Sequence, residues 1–135
     1  MNSTTKTLSD LSDFDFYSIV NQTSQSKVLA AAVEVASLSQ CEFLSQYGSD
    51  EKIALMFANK LLPLSTHEVC FRLSKFGLTP DVAHKFAKHF IEHSTAKQSV
   101  HLSQYGRSPL IRDMFSLHTK NSFISKELSS LLEKI

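Results

Sequence analysis

Leu44-Ser45-Gln46-Tyr47-Gly48, Leu73-Ser74-Lys75-Phe76-Gly77 and Leu102-Ser103-Gln104-Tyr105-Gly106 are one five-residue phrase written three times, at two equal spacings of 29 residues. The match continues beyond each glycine. The fifth residue on is Ile53, Val82 or Ile111, and the ninth is Phe57, Phe86 or Phe115. Upstream, Cys41 and Cys70 also coincide. Self-similarity at a spacing of this size marks supersecondary units that bury their apolar faces by stacking.

Each phrase reads as a helix stop followed by a helix start. Gly48, Gly77 and Gly106 suit the left-handed conformation that closes a helix at C′. Two residues later stand Asp50, Thr79 and Ser108, all good N-caps. Pro80 and Pro109 follow the last two at N1, where a missing N–H costs nothing. The spacing predicts an all-α chain of tandem helix-turn-helix hairpins, three copies plus a terminal helix. The A helices fall at 26–47, 66–76 and 95–105 and the B helices at 51–61, 80–92 and 109–118. Ser65 with Glu68 makes a capping box for the second A helix, and Pro63 separates it from the preceding B helix. A last helix over 123–134 collects Phe123, Ile124, Leu128, Leu131, Leu132 and Ile135 on one face and reads as an A helix without a B partner. The expected core lies between A and B helices, at Leu44, Tyr47, Ile53, Phe57 and their equivalents.

Residues 14–135 therefore form one helical domain with units at 26–61, 66–92 and 95–118. Residues 1–13, mostly Ser, Thr and Asp, are expected to be a disordered tail. A helical turn near Leu11 to Val20 either packs across the first unit or serves as a partner-binding arm. At 42% hydrophobic and 20% charged, the chain can bury a core. No apolar run approaches the roughly 18 to 20 residues that span a bilayer, and no targeting segment is visible, so a cytoplasmic protein is expected. Cys41 and Cys70 are too few for a disulfide framework and are expected to pack.

Catalytic patterns are absent from the residues. No Gly-x-Ser-x-Gly elbow or Cys-x-x-Cys occurs, and three glycines cannot build a phosphate cradle. His89 and His93, four apart on the second B helix, supply two imidazoles but no third ligand. The sequence therefore predicts neither enzyme activity nor metal nor cofactor. Charge is polarised instead: residues 1–70 carry a net −4 and residues 71–135 a net +5. Lys85, Lys88, His89 and Lys97 gather near the second unit, and Arg107 and Arg112 flank the third turn. Helix N-termini at Thr79 and Ser108 offer free N–H groups to a backbone phosphate, with Arg107 reinforcing. Val69 to Phe90 also has the helix-turn-helix order of a DNA reader.

The stretch Gln46-Tyr47-Gly48-Ser49-Asp50-Glu51-Lys52-Ile53-Ala54-Leu55-Met56-Phe57-Ala58 resembles the central segment of FlhD, the helical subunit of the bacterial FlhDC transcriptional activator. The likeness rests on an aromatic residue and Gly closing one helix, acids opening the next, then Ile53-Ala54 and Phe57-Ala58 at matching spacing. It covers less than half of the chain. The resemblance implies a non-enzymatic regulator that dimerises and acts beside a metal-containing, DNA-contacting partner subunit. The resulting expectation is a DNA-associated transcriptional regulator touching DNA through Thr79, Lys85, Lys88, His89, Lys97, Arg107, Ser108 and Arg112. The alternative is a helical-repeat adaptor or inhibitor that binds protein without nucleic acid.

Overall fold

Three short turns organise the chain, because each closes one helix and supplies the side chain that starts the next. Asp50, Thr79 and Ser108 accept from the amides of Ile53, Val82 and Ile111 at 2.9, 3.3 and 3.3 Å, three residues ahead in every case. The computed structural model describes residues 7–134, and every regular element among them is helical. In order these are α1 (Asp13–Gln22), α2 (Ser26–Val35), α3 (Leu38–Tyr47), α4 (Glu51–Leu61), α5 (His67–Phe76), α6 (Pro80–Phe90), α7 (Ala96–Tyr105) and α8 (Pro109–Glu133). Short 3-10 turns, Leu62–Leu64 and Ile91–His93, follow α4 and α6. None of these helices is long and apolar enough to cross a membrane.

The helices pack in pairs, α3 with α4, α5 with α6 and α7 with α8. Adjacent pairs meet helix to like helix, so α3, α5 and α7 form one layer and α4, α6 and α8 the other. Between the layers Leu44, Leu73 and Leu102 pack with Phe57, Phe86 and Phe115, all fully buried. Burying each phenylalanine contributes about 1.5–3 kcal/mol. Ala54, Ala58, Ala83 and Ala87 are also buried, and their small side chains let α4 and α6 approach their neighbours closely. Helix α1 lies across the first pair: Phe16 meets the Phe57 ring edge-on, and Gln40 donates to Asp13 at 2.9 Å. A helical turn at residues 7–9 tucks Leu8 into the core, whereas residues 1–6 of the expected tail, and Ile135, lie outside the described residues.

Backbone hydrogen bonds join one pair to the next. The last carbonyls of a helix have no partner inside it. The Ser45 carbonyl, near the end of α3, accepts from the Leu78 N–H at 2.8 Å, in the turn of the following pair. The Ser74 carbonyl, near the end of α5, accepts from the Arg107 N–H at 3.0 Å. At the first turn the corresponding amide, Ser49 N–H, donates to Asn21 Oδ1 of α1 at 2.8 Å. Ser45 and Ser74 are themselves buried and spend their hydroxyls on the Cys41 and Cys70 carbonyls. Glu42 and Arg72 add a two-pronged ion pair between α3 and α5, at 2.6 and 2.9 Å.

Several elements differ from the sequence-based expectation. The first A helix is not continuous over 26–47 but breaks at Ala36 and Ser37. Ser37 and Gln40 form a capping box there, and the Lys60 ammonium donates to the Val33, Glu34 and Ala36 carbonyls. That cation satisfies the orphan acceptors of α2 and suits the negative end of its dipole. The cap of α5 is Thr66, not Ser65, whose hydroxyl donates to the Leu62 carbonyl instead. Helix α6 stops at Phe90, short of the expected 92. The third B helix and the terminal helix are one element, α8, because no Pro or Gly interrupts residues 116–122 and the Ser, Thr and Asn there do not cap a new helix. Thr119 donates back to the Phe115 carbonyl inside the helix rather than capping a new one.

The glycines also act differently from the expectation. Gly48, Gly77 and Gly106 have φ of −58, −50 and −56°, outside the left-handed region. Their requirement is space. A Cβ on Gly77 would stand 2.8 Å from the Ala83 nitrogen and 3.0 Å from both Ala83 Cα and the Leu73 oxygen, all backbone atoms that cannot swing aside. Gly77→Ala is therefore expected to cost about 1–3 kcal/mol through overpacking. Urea unfolding of the variant checks this, and an unchanged midpoint would mean that the α5–α6 turn relaxes freely.

Candidate binding surface

Tyr47, Phe76 and Tyr105 each end the helix that precedes a turn glycine, and the sequence assigns them to the core. The structure exposes them instead, at 61, 52 and 56%. The reason is geometric: Leu44, Leu73 and Leu102, three residues earlier, already point between the layers, and the chain leaves the helix directly after the ring. Of the two large apolar residues in each phrase, only the leucine reaches the interior. The three rings thus share one edge of the molecule, at the ends of α3, α5 and α7.

Other aromatic side chains extend this edge. Tyr17 of α1 stacks on Phe43 with ring centres 4.0 Å apart, and Phe43 lies 4.9 Å from Tyr47. Burial is the main cause that pushes the Tyr17 phenol above its ordinary range, with the Asp13 charge adding to it. Lys75 stands 4.9 Å from the Phe76 ring centre and 5.5 Å from that of Tyr105, a cation shared between rings of neighbouring pairs. His101 packs between Phe71 and Tyr105, and its buried Nε2 has no hydrogen-bond partner among the described residues. Lys75 has no carboxylate partner among the described residues either. The edge is therefore apolar, aromatic and weakly cationic, and suits side chains that bring apolar surface and a carboxylate.

The residues singled out for phosphate contact divide into two groups. Thr79 and Ser108 are N-caps whose oxygens are occupied by the Val82 and Ile111 amides. Arg107 donates through Nε to the Gly77 carbonyl and through Nη2 to the Leu78 carbonyl, both at 3.1 Å. Arg112 donates to the Gly106 carbonyl at 2.9 Å. These two guanidiniums are engaged with turn backbones. Lys88, His89 and Lys97 are exposed and Lys85 half-buried, and among the described residues none of them has an ion-pair partner. Lys85, Lys88 and His89 lie on α6 and Lys97 in the first turn of α7.

His89 and His93 do not share a helix face, because α6 ends at Phe90 and His93 belongs to the 3-10 turn. His93 stacks on His67 with ring centres 4.9 Å apart and planes 7° apart. Imidazole lone pairs lie in the ring plane, so two parallel stacked rings do not converge on one ion. No group of three or more His, Cys, Asp or Glu side chains able to hold a metal occurs among the described residues. Cys41 and Cys70 are free and fully buried, and burial pushes both thiols above the usual thiol range. They pack, as expected, and the thiolate needed for nucleophilic chemistry is disfavoured at both.

The exposed aromatic edge was obscured in the sequence by a sound rule, that apolar residues at helical spacing face inward. A signal was present in the immediately following glycine, which places each ring in the last residue of its helix. The capping box of Ser37 and Gln40 was equally readable, three residues apart before an apolar stretch. The Arg107 clamp needs coordinates, since its acceptors are carbonyls 29 and 30 residues away. Arg107→Ala is expected to lower stability by about 1 kcal/mol, as two partly solvated charged hydrogen bonds are lost. Arg107→Lys restores little, because an ammonium lacks the planar fork that reaches both carbonyls. Chemical denaturation of both variants is the check, and wild-type stability in either would remove the clamp from the account. No protein-family model matches the chain, and no curated protein or solved structure shows significant similarity to it.

Proposed function

We propose that this chain is a protein-binding scaffold, a short helical repeat whose unit is the 29-residue hairpin and whose ligand is an apolar segment of another protein. The observation that carries the reading is the exposed ring at the same position of α3, α5 and α7. Stacked helical hairpins repeat a surface position at each unit, and such rows serve as extended recognition surfaces. Large aromatic side chains are enriched where partners bind, since they bring much contact area at low conformational cost. Lys75, between two of the rings and without a carboxylate partner among the described residues, favours a segment that also carries an acidic side chain.

The test is affinity capture with nuclease treatment, comparing the unaltered chain with the triple variant Tyr47→Ser, Phe76→Ser and Tyr105→Ser. Because the rings are exposed, the triple variant is expected to keep its fold by circular dichroism. A protein partner that survives nuclease digestion and disappears with the triple variant is the expected result. A partner held equally well by the triple variant removes the aromatic edge from the reading.

A second reading has its own support in Lys85, Lys88 and Lys97, cations that lie near His89 in the chain and have no ion-pair partner among the described residues. In it the chain is a DNA-associated transcriptional regulator, an activator subunit of the FlhD type acting with a partner. Phosphate contacts release counterions, so binding must weaken steeply with salt. Fluorescence anisotropy with duplex DNA is expected to show that dependence, with a shallower slope for Lys85→Ala combined with Lys88→Ala. Absence of binding at low salt eliminates this reading.

A further inference from the structure

The final part of α8 projects beyond the paired helices. Every residue from Lys120 to Lys134 is exposed, and Leu117, Ile124, Leu128 and Leu131 are each more than half exposed. A projecting helix of this length gains little by itself, since isolated helices shorter than roughly 12–15 residues are marginal in water. Its apolar residues follow an order. Leu110, Leu117, Ile124 and Leu131 recur every seven residues, and Met114, Asn121 and Leu128 recur every seven in between, each four residues after one of the first set. This is the spacing of a coiled-coil seam, with the first set at d and the second at a. The seam lies about a third of a turn around α8 from the side that buries Ile111 and Phe115. From Leu117 onward a second helix can therefore occupy it without displacing α7, while Met114, half-buried against the hairpin core, offers only its free side.

We propose that α8 pairs antiparallel with α8 of a second copy of this chain. The direction follows from charge. The g positions flanking the seam are Asp113, Lys120, Glu127 and Lys134, all exposed and without an ion-pair partner among the described residues. Antiparallel packing sets a against d, giving the layers Met114 with Leu131, Leu117 with Leu128 and Asn121 with Ile124. In that register g faces g: Asp113 meets Lys134 of the second copy and Lys120 meets Glu127 of the second copy, each twice by symmetry. Parallel packing sets g against e, where Asp113 meets His118, Lys120 meets Ser125 and Glu127 meets Leu132, with no Lys–carboxylate pair. The alternation of acid and base along g is thus complementary in one direction only. The two Asn121 side chains fall in the adjacent central layers, so the polar residues gather at the two-fold axis. The hairpin stacks lie at opposite ends of the paired helices.

Sedimentation equilibrium of the full chain at moderate salt tests the pairing. The unaltered chain is expected to dimerise at micromolar concentration. Ile124→Asp, at a position outside the hairpin core, should yield a monomer that keeps the helical fold of the hairpins by circular dichroism. Lys120→Glu should weaken the dimer roughly tenfold by turning two attractive pairs repulsive, Glu127→Lys should do the same, and the double variant should recover wild-type affinity. A chain that stays monomeric at high micromolar concentration overturns the proposal, as does a dimer that Ile124→Asp leaves intact. A dimer indifferent to both single charge reversals overturns the antiparallel direction.

Discussion

The end of every helix leaves carbonyls that its own backbone cannot satisfy, and in this protein the next turn supplies the missing donor. The Leu78 and Arg107 amides reach back to the Ser45 and Ser74 carbonyls near the ends of α3 and α5. A hydrogen bond of this kind contributes about 1 kcal/mol, but leaving a buried carbonyl unpaired costs about 1–3 kcal/mol, so the second pair is held to the first as much by avoided loss as by gain. A side chain at Gly77 is excluded within the same hairpin, by the Ala83 and Leu73 backbone atoms. Helix α1 provides the equivalent donor-binding group at the start of the stack through Asn21.

Apolar burial then acts on a geometry that these polar contacts have already registered. The leucine, aliphatic and phenylalanine positions of each pair meet between two layers, and alanines on α4 and α6 let the layers close. Charged groups are used sparingly and locally. Lys60 closes α2, Glu42 and Arg72 clasp α3 to α5, and Arg107 clasps the turn of one pair to that of the next. Each of these commits a charge to structure, whereas the lysines of α6 and α7 have no ion-pair partner among the described residues.

Two of the exposed apolar surfaces carry the proposed contacts. One edge carries rings from α1, α3, α5 and α7, interleaved with Lys75 and His101. The other is the exposed apolar side of α8, beyond the last pair. The two are separate because the rings sit in the α3–α5–α7 layer, whereas the projecting helix continues the opposite layer. Recognition of a partner at the edge and self-pairing at the helix can therefore occur together in the proposed scheme.

The residues by themselves determined that the chain is helical and where most helices start, because N-caps, N1 prolines and turn glycines act over three or four residues and need no distant partner. They also determined the buried leucines and phenylalanines, through spacing that sets a helix face. Tertiary structure alone decided what Arg107 holds and which carbonyls the turn amides of Leu78 and Arg107 satisfy, since each depends on atoms about thirty residues away, whereas the space around each glycine is set inside its own hairpin, by atoms four to six residues away. The length of α8 is likewise a local matter. A helix continues unless something stops it, and Phe123 and its neighbours, legible as a separate apolar face, contain nothing that breaks the backbone ladder from Phe115 onward.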